Sequence, residues 1–300
     1  MEKRAFGATG LIGSPIGWGT MEIGNLETSE AASLLDTALD GGVTWVDTAP
    51  CYPDSEALLG RILPGRRHRL LLTTKCGCTG PYSTHPHRFD RPTLLRNLDE
   101  SLRRLGTDSL DLWQLHMQSS DAFPGGEAGE ITQTMQEMRT AGKVRHIGLS
   151  FKNGGPEDPL YPAEHGFRSM RRFGTLDPFE SVQLVYGALT RTNEEAIEAV
   201  ARTGKAVIVR GWLKKYSPAY DGLLARAGLA ALCEPGEDIS AFLIRFGLTV
   251  PGISFGLIGT TDREHLRANI EAASRGALSA EVFAQARLRL DTAGIRPAAW

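Results

Sequence analysis

Four residues in this sequence carry the groups needed to move a proton to or from an oxygen: Asp47, Tyr52, Lys75 and His116. Asp47 and Tyr52 lie in "DTAPCYPDSEALLG" (47–60), at the end of the apolar run 43–46. Lys75 closes "LLLTTK" and His116 closes "LDLWQLH". Each sits where an apolar stretch stops, and a charged group at the end of a core strand has to be paired. A free phenol, with a pKa of about 10, is a poor proton donor at neutral pH. A neighbouring ammonium favours the phenolate and is expected to lower that value. A buried carboxylate keeps the ammonium charged and aimed, and an imidazole can hydrogen-bond a substrate oxygen and orient it. Together they suit an acid–base group facing a carbonyl or an alcohol. Taken singly, each has a structural reading: a turn or cap for Asp47, a packed loop anchor for Tyr52, a solvated strand end for Lys75, a core imidazole for His116. Their recurrence at successive strand ends favours chemistry.

The elements that must position these groups are short β-rich runs separated by segments of helical period. Strands are expected at 14–18, 44–47, 70–74, 110–115, 144–149, 181–184, 206–210 and 254–258. Helices are expected at 28–39, 55–63, 92–105, 130–141, 192–203, 239–248 and 262–272, the first with a Thr cap and with Gly41 and Gly42 after its end. Strand then helix, repeated about eight times in a chain of 300 residues, indicates a (β/α)8 barrel of the TIM type. An open doubly wound sheet usually carries GxGxxG after its first strand, and "IGWGTMEIG" (16–24) does not fit. "KRAFGATGLIG" (3–13) reads as an N-terminal β-hairpin that plugs the barrel floor. No shift in composition marks a second domain, so residues 1–300 are expected to form one. The connections 117–129 and 151–177 are long and rich in Gly and Pro, and are expected to shape the pocket at the carboxyl ends of the strands.

Composition excludes several classes. Net charge is −2, with acids and bases interspersed, so bulk charge attracts neither nucleic acid nor an anionic membrane. The first residues lack the apolar stretch of a signal peptide, and no run approaches a membrane span, which leads to the expectation of a cytoplasmic protein. Cys51, Cys76, Cys78 and Cys233 form no CxxC pair, and Cys76 and Cys78 stand too close together for ordinary zinc spacing. They are read as reduced thiols, with no metal site and nothing to activate Cys51 as a nucleophile. Trp113 and Trp45 are expected to face the helices, and Trp18 and Trp212 to line the pocket. Oligomeric state is not legible, since no heptad or apolar stripe stands out.

The chain resembles an aldo-keto reductase along nearly its whole length. "GGVTWVDTAPCYPDSEALLGRIL", "LLLTTKCG", "RRLGTDSLDLWQLH", "GKVRHIGLS", "SVQLVYGAL" and "LIGTTDREHLRANIEAA" match that family's segments in order. The resemblance implies a barrel that binds NADP(H) or NAD(H) across its top without a Gly-rich loop, and that transfers hydride between nicotinamide and a small carbonyl or alcohol substrate. It makes Tyr52 the general acid, tuned by Lys75 and Asp47, with His116 positioning the carbonyl. It sets Gly19, Thr20 and Met21 near the nicotinamide ribose, and Ser150 and Gln183 on the carboxamide. Arg210 falls where the family often has a stacking aromatic. Gly211, Leu213 and one of Lys214 and Lys215 would lie along the pyrophosphate. Gly259, Thr260, Thr261, His265 and Asn269 would lie at the adenosine end, where a helix start offers N–H groups to a phosphate. There are departures: Phe151 follows Ser150, Gly187 follows Tyr186, and Gly259 and His265 stand where NADP-selective relatives carry Lys and Arg, with Arg263 as a candidate substitute. NADP(H) is expected over NAD(H). Two alternatives use the same residues: an epimerase or lyase with no net redox change, and a redox-sensing binding subunit. Arg88, His85, His87 and Lys152 are candidates to meet an acidic or sugar-like group.

Overall fold

The computed structural model describes residues 1–81, 87–117, 128–151, 164–213 and 218–300. The interiors of the two long loops (118–127 and 152–163) lie outside them, as do His85, Lys152, Lys214 and Lys215. In chain order the elements are β1 (Arg4–Ala5), β2 (Ile12–Gly13), β3 (Ile16–Gly19), α1 (Thr28–Asp40), β4 (Trp45–Asp47), α2 (Ser55–Ile62), β5 (Leu71–Cys76), α3 (Arg91–Leu105), β6 (Leu110–Met117), α4 (Ala128–Thr140), β7 (Val144–Phe151), α5 (Glu164–Phe173), β8 (Ser181–Val185), α6 (Glu194–Ala201), β9 (Ala206–Arg210), α7 (Pro218–Ala227), α8 (Ile239–Thr249), β10 (Ile253–Gly259), α9 (Arg263–Ser274) and α10 (Ala280–Thr292). Strands β3 to β10 pair in parallel and close a barrel in the order β10-β3-β4-β5-β6-β7-β8-β9. This is the expected (β/α)8 barrel, with β1 and β2 as a small antiparallel hairpin ahead of it.

The barrel interior is layered. Its lower part is apolar: Phe6 and Leu11 from the hairpin turn pack on Trp45, Leu112, Ala206, Ile208, Phe255 and Leu257. The rings of Trp45 and Phe255 stack with centroids 4.4 Å apart. Trp45 thus faces inward, contrary to the expectation that it faces the helices. It stands two residues before Asp47, and successive side chains in a strand alternate faces, so the two must share a side. Trp113, three residues before His116, does pack outward against the helix-side core. Trp18 is also in that outer core and donates through Nε1 to the Thr260 carbonyl (3.2 Å), so it braces the loop after β10 and does not line the pocket.

The upper layer is polar because of register. Asp47 pairs with Thr73, Lys75 with Gln114, and His116 with Ser150, which pairs in turn with Gln183. Period two along each strand then turns these side chains to one face, at the carboxyl ends where such barrels do chemistry.

Two helices, α7 and α10, were not expected, and α5 matches a weaker helical segment read after Gly166. In α5 Phe167, Met170 and Phe173 face the core, with Arg168, Arg171 and Arg172 on the opposite, exposed side. For α10 a signal was present: Ser279 accepts from Val282 N, and the buried Ala286 and Leu290 follow at i,i+4 spacing. For α7 a signal was present as well: Pro218 at its first position, Asp221 in the first turn and Gly228, at φ +60°, after its end. The first helix is capped by Glu27, with Glu30 reaching back to the Glu27 N–H, in place of the expected Thr cap. Among the described residues no helix is long and apolar enough to cross a membrane.

A buried ion network ties α10 to the barrel. Arg191, 1% exposed, donates to both oxygens of Glu194 (2.7 and 2.9 Å), to Asp291 Oδ1 (2.7 Å) and to the Ile295 carbonyl (3.1 Å). The Tyr186 hydroxyl donates to the same Glu194 at 2.7 Å. Arg287 also reaches Glu194 Oε1 (3.1 Å), so Arg191→Met leaves that carboxylate partly paired and is expected to cost about 1–3 kcal/mol. A urea unfolding midpoint unchanged from the parent would show that the network is not needed for stability.

Candidate active site

Asp47 is the hub of the polar layer. Lys75 Nζ donates to its Oδ1 at 2.6 Å and to the Thr48 carbonyl at 2.8 Å. The hydroxyl of Thr73 (2.7 Å) and the side-chain amides of Gln183 (3.0 Å) and Gln114 (3.2 Å) all donate to Oδ2. Four donors on two oxygens meet the requirement that a buried carboxylate be paired and satisfied. Asp47 is 3% exposed and Lys75 0%. The ammonium lies 5.1 Å from the centroid of the Tyr52 ring, over its face. Asp47, Tyr52 and His116 line one cavity, and Lys75 stands directly behind them.

Burial pulls the Lys75 ammonium down, but the charges of Asp47 and Tyr52 and the hydrogen bond to Asp47 prevail and hold it above the usual lysine range. For Tyr52 burial is the largest influence and pushes the phenol up to about 12. Lys75 opposes this, as the sequence suggested, while the charge of Asp47 adds to the rise. The net direction is therefore opposite to the sequence expectation, because taking a phenolate out of water outweighs one ammonium at this distance. The phenol is held in its protonated, donating form. Burial also lowers His116 to about 4, so the imidazole is neutral.

The cavity, of about 590 Å³, runs from these residues over the carboxyl ends of β3, β9 and β10 to the first turn of α9. That is a size common for small-molecule sites. Of the residues assigned to a cofactor from sequence, Gly19, Thr20, Met21, Asp47, Arg210, Gly211, Leu213, Gly259, Thr260, Thr261, His265 and Asn269 line it. Ser150 and Gln183 do not: Ser150 Oγ donates to Gln183 Oε1 (3.1 Å), and the Gln183 amide donates to Asp47. Arg210 donates to the Phe151 carbonyl at 3.0 Å. Arg263 turns out of the cavity to Ser33 Oγ (3.3 Å). Trp212 lines the cavity as expected, together with Asp238, Ser240 and Ala241 at the start of α8, which sequence reasoning missed. Gly19 and Gly259 pair in register at the rim, and a Cβ on either would have nothing nearer than 3.6 Å. Two side-chain-free positions side by side leave backbone open to a flat or phosphorylated group.

Sequence reasoning also missed Thr73 and Gln114, whose only signal is parity with Lys75 and His116. It missed the surroundings of Cys51 as well. Cys51 Sγ lies 3.7 Å from His116 Nδ1, and Cys78 Sγ lies 3.4 Å from that nitrogen and 3.4 Å from His87 Nε2. Hydrogen bonding from Cys78, helped by His116 and His87, pushes the Cys51 thiol down, while the same hydrogen bond and burial push Cys78 up. Cys51 therefore does have groups that stabilise its thiolate. Cys76 is different: its sulfur turns to the Gln114 carbonyl in the outer core, and burial pushes its thiol up.

Comparison with known proteins fits this geometry. The sequence profile of the aldo/keto reductase family matches residues 15–288. A 6-dehydroglucose reductase of Novosphingobium aromaticivorans is 36% identical over 160 residues, which is 49% of this chain and 50% of that relative. The aldo-keto reductase YhdN of Bacillus subtilis is 30% identical over 214 residues, 68% of this chain and 60% of that one. The matched stretch thus spans about half to three-fifths of these curated relatives. Among solved structures, an aldo-keto reductase from Klebsiella pneumoniae in complex with NADPH superposes with a TM-score of 0.77 at 24% identity, covering 100% of this chain and 97% of that one.

Proposed function

Because this chain belongs to the aldo/keto reductase family, we propose that it is a nicotinamide-dependent oxidoreductase that interconverts a small carbonyl compound and its alcohol. Tyr52 is its proton donor, and NADP(H) is preferred over NAD(H). The observation that carries this reading is the fully buried Lys75–Asp47 pair against the face of the Tyr52 ring, at the floor of a cavity large enough for a small molecule.

The chemistry of the residues follows from their positions. When the Tyr52 hydroxyl passes its proton to a substrate oxygen, the phenolate left behind sits beside a permanent ammonium in a dry site. That electrostatic stabilisation is set in place before the reaction begins. Asp47 keeps the ammonium charged, and Thr73, Gln114 and Gln183 fix the carboxylate so that the pair does not reorganise. The neutral His116 offers a hydrogen bond to the same oxygen. Gly19, Thr20, Met21, Arg210, Gly211, Leu213, Gly259, Thr260, Thr261, His265 and Asn269 would hold the dinucleotide along the cavity. When bound, its nicotinamide supplies or accepts hydride at the carbon bearing that oxygen. The open backbone at Gly19 and Gly259 fits such a group. The preference for NADP(H) follows the family resemblance and the NADPH in the Klebsiella relative, with His265 at the far end of the cavity.

The test is a fluorescence titration with NADPH and NADH, followed by a panel of aldehydes and ketones. Micromolar binding, tighter for NADPH, with one NADPH consumed per carbonyl reduced, is expected. If neither nucleotide binds at micromolar levels the reading fails. Conversion without net NADPH consumption would instead identify an epimerase or lyase, and binding without turnover a sensing subunit.

A further inference from the structure

Four ligand-type atoms from separate stretches of chain converge beside the cavity floor: Cys51 Sγ, Cys78 Sγ, His87 Nε2 and His116 Nδ1, all within 4.8 Å of one another. The N···N separation is 3.3 Å, and three S···N separations are 3.4, 3.4 and 3.7 Å. A tetrahedral zinc ion, with Zn–S of about 2.3 Å and Zn–N of about 2.05 Å, requires edges of about 3.4 Å for N···N and about 3.6 Å for S···N. We infer that Cys51, Cys78, His87 and His116 bind one Zn2+ in a closed, four-coordinate site.

The donor set selects the ion. Two sulfurs and two imidazole nitrogens in a tetrahedron favour Zn2+ over the hard cations, which take oxygen ligands. A thiol is a weak donor, so hydrogen bonds alone account poorly for these four atoms lying within 4.8 Å of one another. Binding takes both cysteines as thiolates and releases their protons, so the two negative charges cancel that of the ion and the buried site is neutral.

The scaffold around the ligands is fixed. Cys78 and His87 face each other across an antiparallel bridge, and Arg88 N donates to the Gly77 carbonyl at 2.8 Å. The buried Asn97 clamps the same turn, accepting from Gly77 N (2.8 Å) and donating to the Cys78 carbonyl (3.0 Å). Gly77 has φ +93°, and a Cβ there would meet the Phe89 ring at 2.3 Å, so the turn before Cys78 is specific to glycine.

With all four positions filled by protein, the ion has no place for water or substrate and acts structurally. It joins the turn that carries Tyr52, the segment after β5 and the end of β6. It also sets a tautomer: a ligated Nδ1 on His116 leaves that ring's proton on Nε2, which makes that nitrogen a donor. His116 thereby acts on both sides, and the ion is a positioning device for the tyrosine and the histidine.

The test reads metal and not turnover, so it stands apart from the reaction proposed above. The full chain is produced without an affinity tag in zinc-supplemented cells and assayed by elemental analysis. About one zinc per chain is expected in the parent and in Cys233→Ser, falling to roughly a tenth or less in Cys78→Ser and in His87→Ala. Because those two variants can fail to fold, the parent is also titrated with Co2+ after reduction and metal removal. Tetrahedral d–d bands together with thiolate-to-cobalt charge transfer, saturating at one equivalent, support the site. Three results would overturn it: parent protein with neither zinc nor the cobalt spectrum, full zinc content in a folded Cys78→Ser/His87→Ala variant, or a Cys51–Cys78 disulfide in protein isolated with zinc present.

Discussion

Tyr52→Phe is expected to lower kcat for carbonyl reduction by about 10²–10⁴-fold, the usual range for removing a positioned proton donor. Nucleotide affinity should stay within about twofold, because only one oxygen is lost and uniform binding is untouched. The substitution keeps the ring, so the packing of the aromatic face against Lys75, with the ammonium 5.1 Å from the centroid, survives. Any loss is then chargeable to the hydroxyl. Single-turnover rates with saturating nucleotide make the comparison, since they separate chemistry from product release. A variant that reduces the best substrate at the parental rate would remove Tyr52 from the reaction and with it the proposed role of the ion pair.

Lys75→Met should damage both folding and turnover. It leaves Asp47 buried, with its Oδ1 stripped of the ammonium at 2.6 Å while Oδ2 keeps Thr73, Gln114 and Gln183. An unpaired buried carboxylate costs about 3–5 kcal/mol, seen as a lower urea midpoint. The double variant Asp47→Asn/Lys75→Met isolates the electrostatic part. The three donors now on Oδ2 require the oxygen of the new amide to occupy that side, so its NH2 must point toward position 75. Opposite the native ammonium two donors would meet, whereas opposite a thioether they would not. The double variant should therefore recover stability relative to Lys75→Met while remaining inactive, a coupling that a double-mutant cycle measures directly. A double variant less stable than both single ones, or a Lys75→Met protein with parental stability, would show that the charge pair is not what holds this layer together.

Much of this was readable from sequence. All eight barrel strands are marked by short apolar runs, and the carboxyl-end rule turned the residues at their ends into a candidate site. Asp47, Tyr52, Lys75 and His116 needed no knowledge of distances. Even the inward face of Trp45 was legible from its even spacing to Asp47, and was misread. Helix α5 was read only weakly although Phe167, Met170 and Phe173 recur on one face, and α7 was missed although Pro218 and Gly228 mark its ends.

What the sequence by itself determined was the type and order of the elements and the chemical groups at their ends, since both follow from local periodicity. Only the tertiary structure decided how those groups share protons and charge. Gln183 turns to Asp47, and Ser150 to Gln183, in place of the cavity because His116, Ser150 and Gln183 are in register across β6, β7 and β8. The Tyr52 phenol lies above its usual range because burial outweighs Lys75. Cys51, Cys78, His87 and His116 meet because three strand ends close a ring, with Cys51 and His116 65 residues apart in the chain. No local spacing encodes such a meeting: it depends on inter-strand register and barrel closure, which are set by the packing of the whole chain.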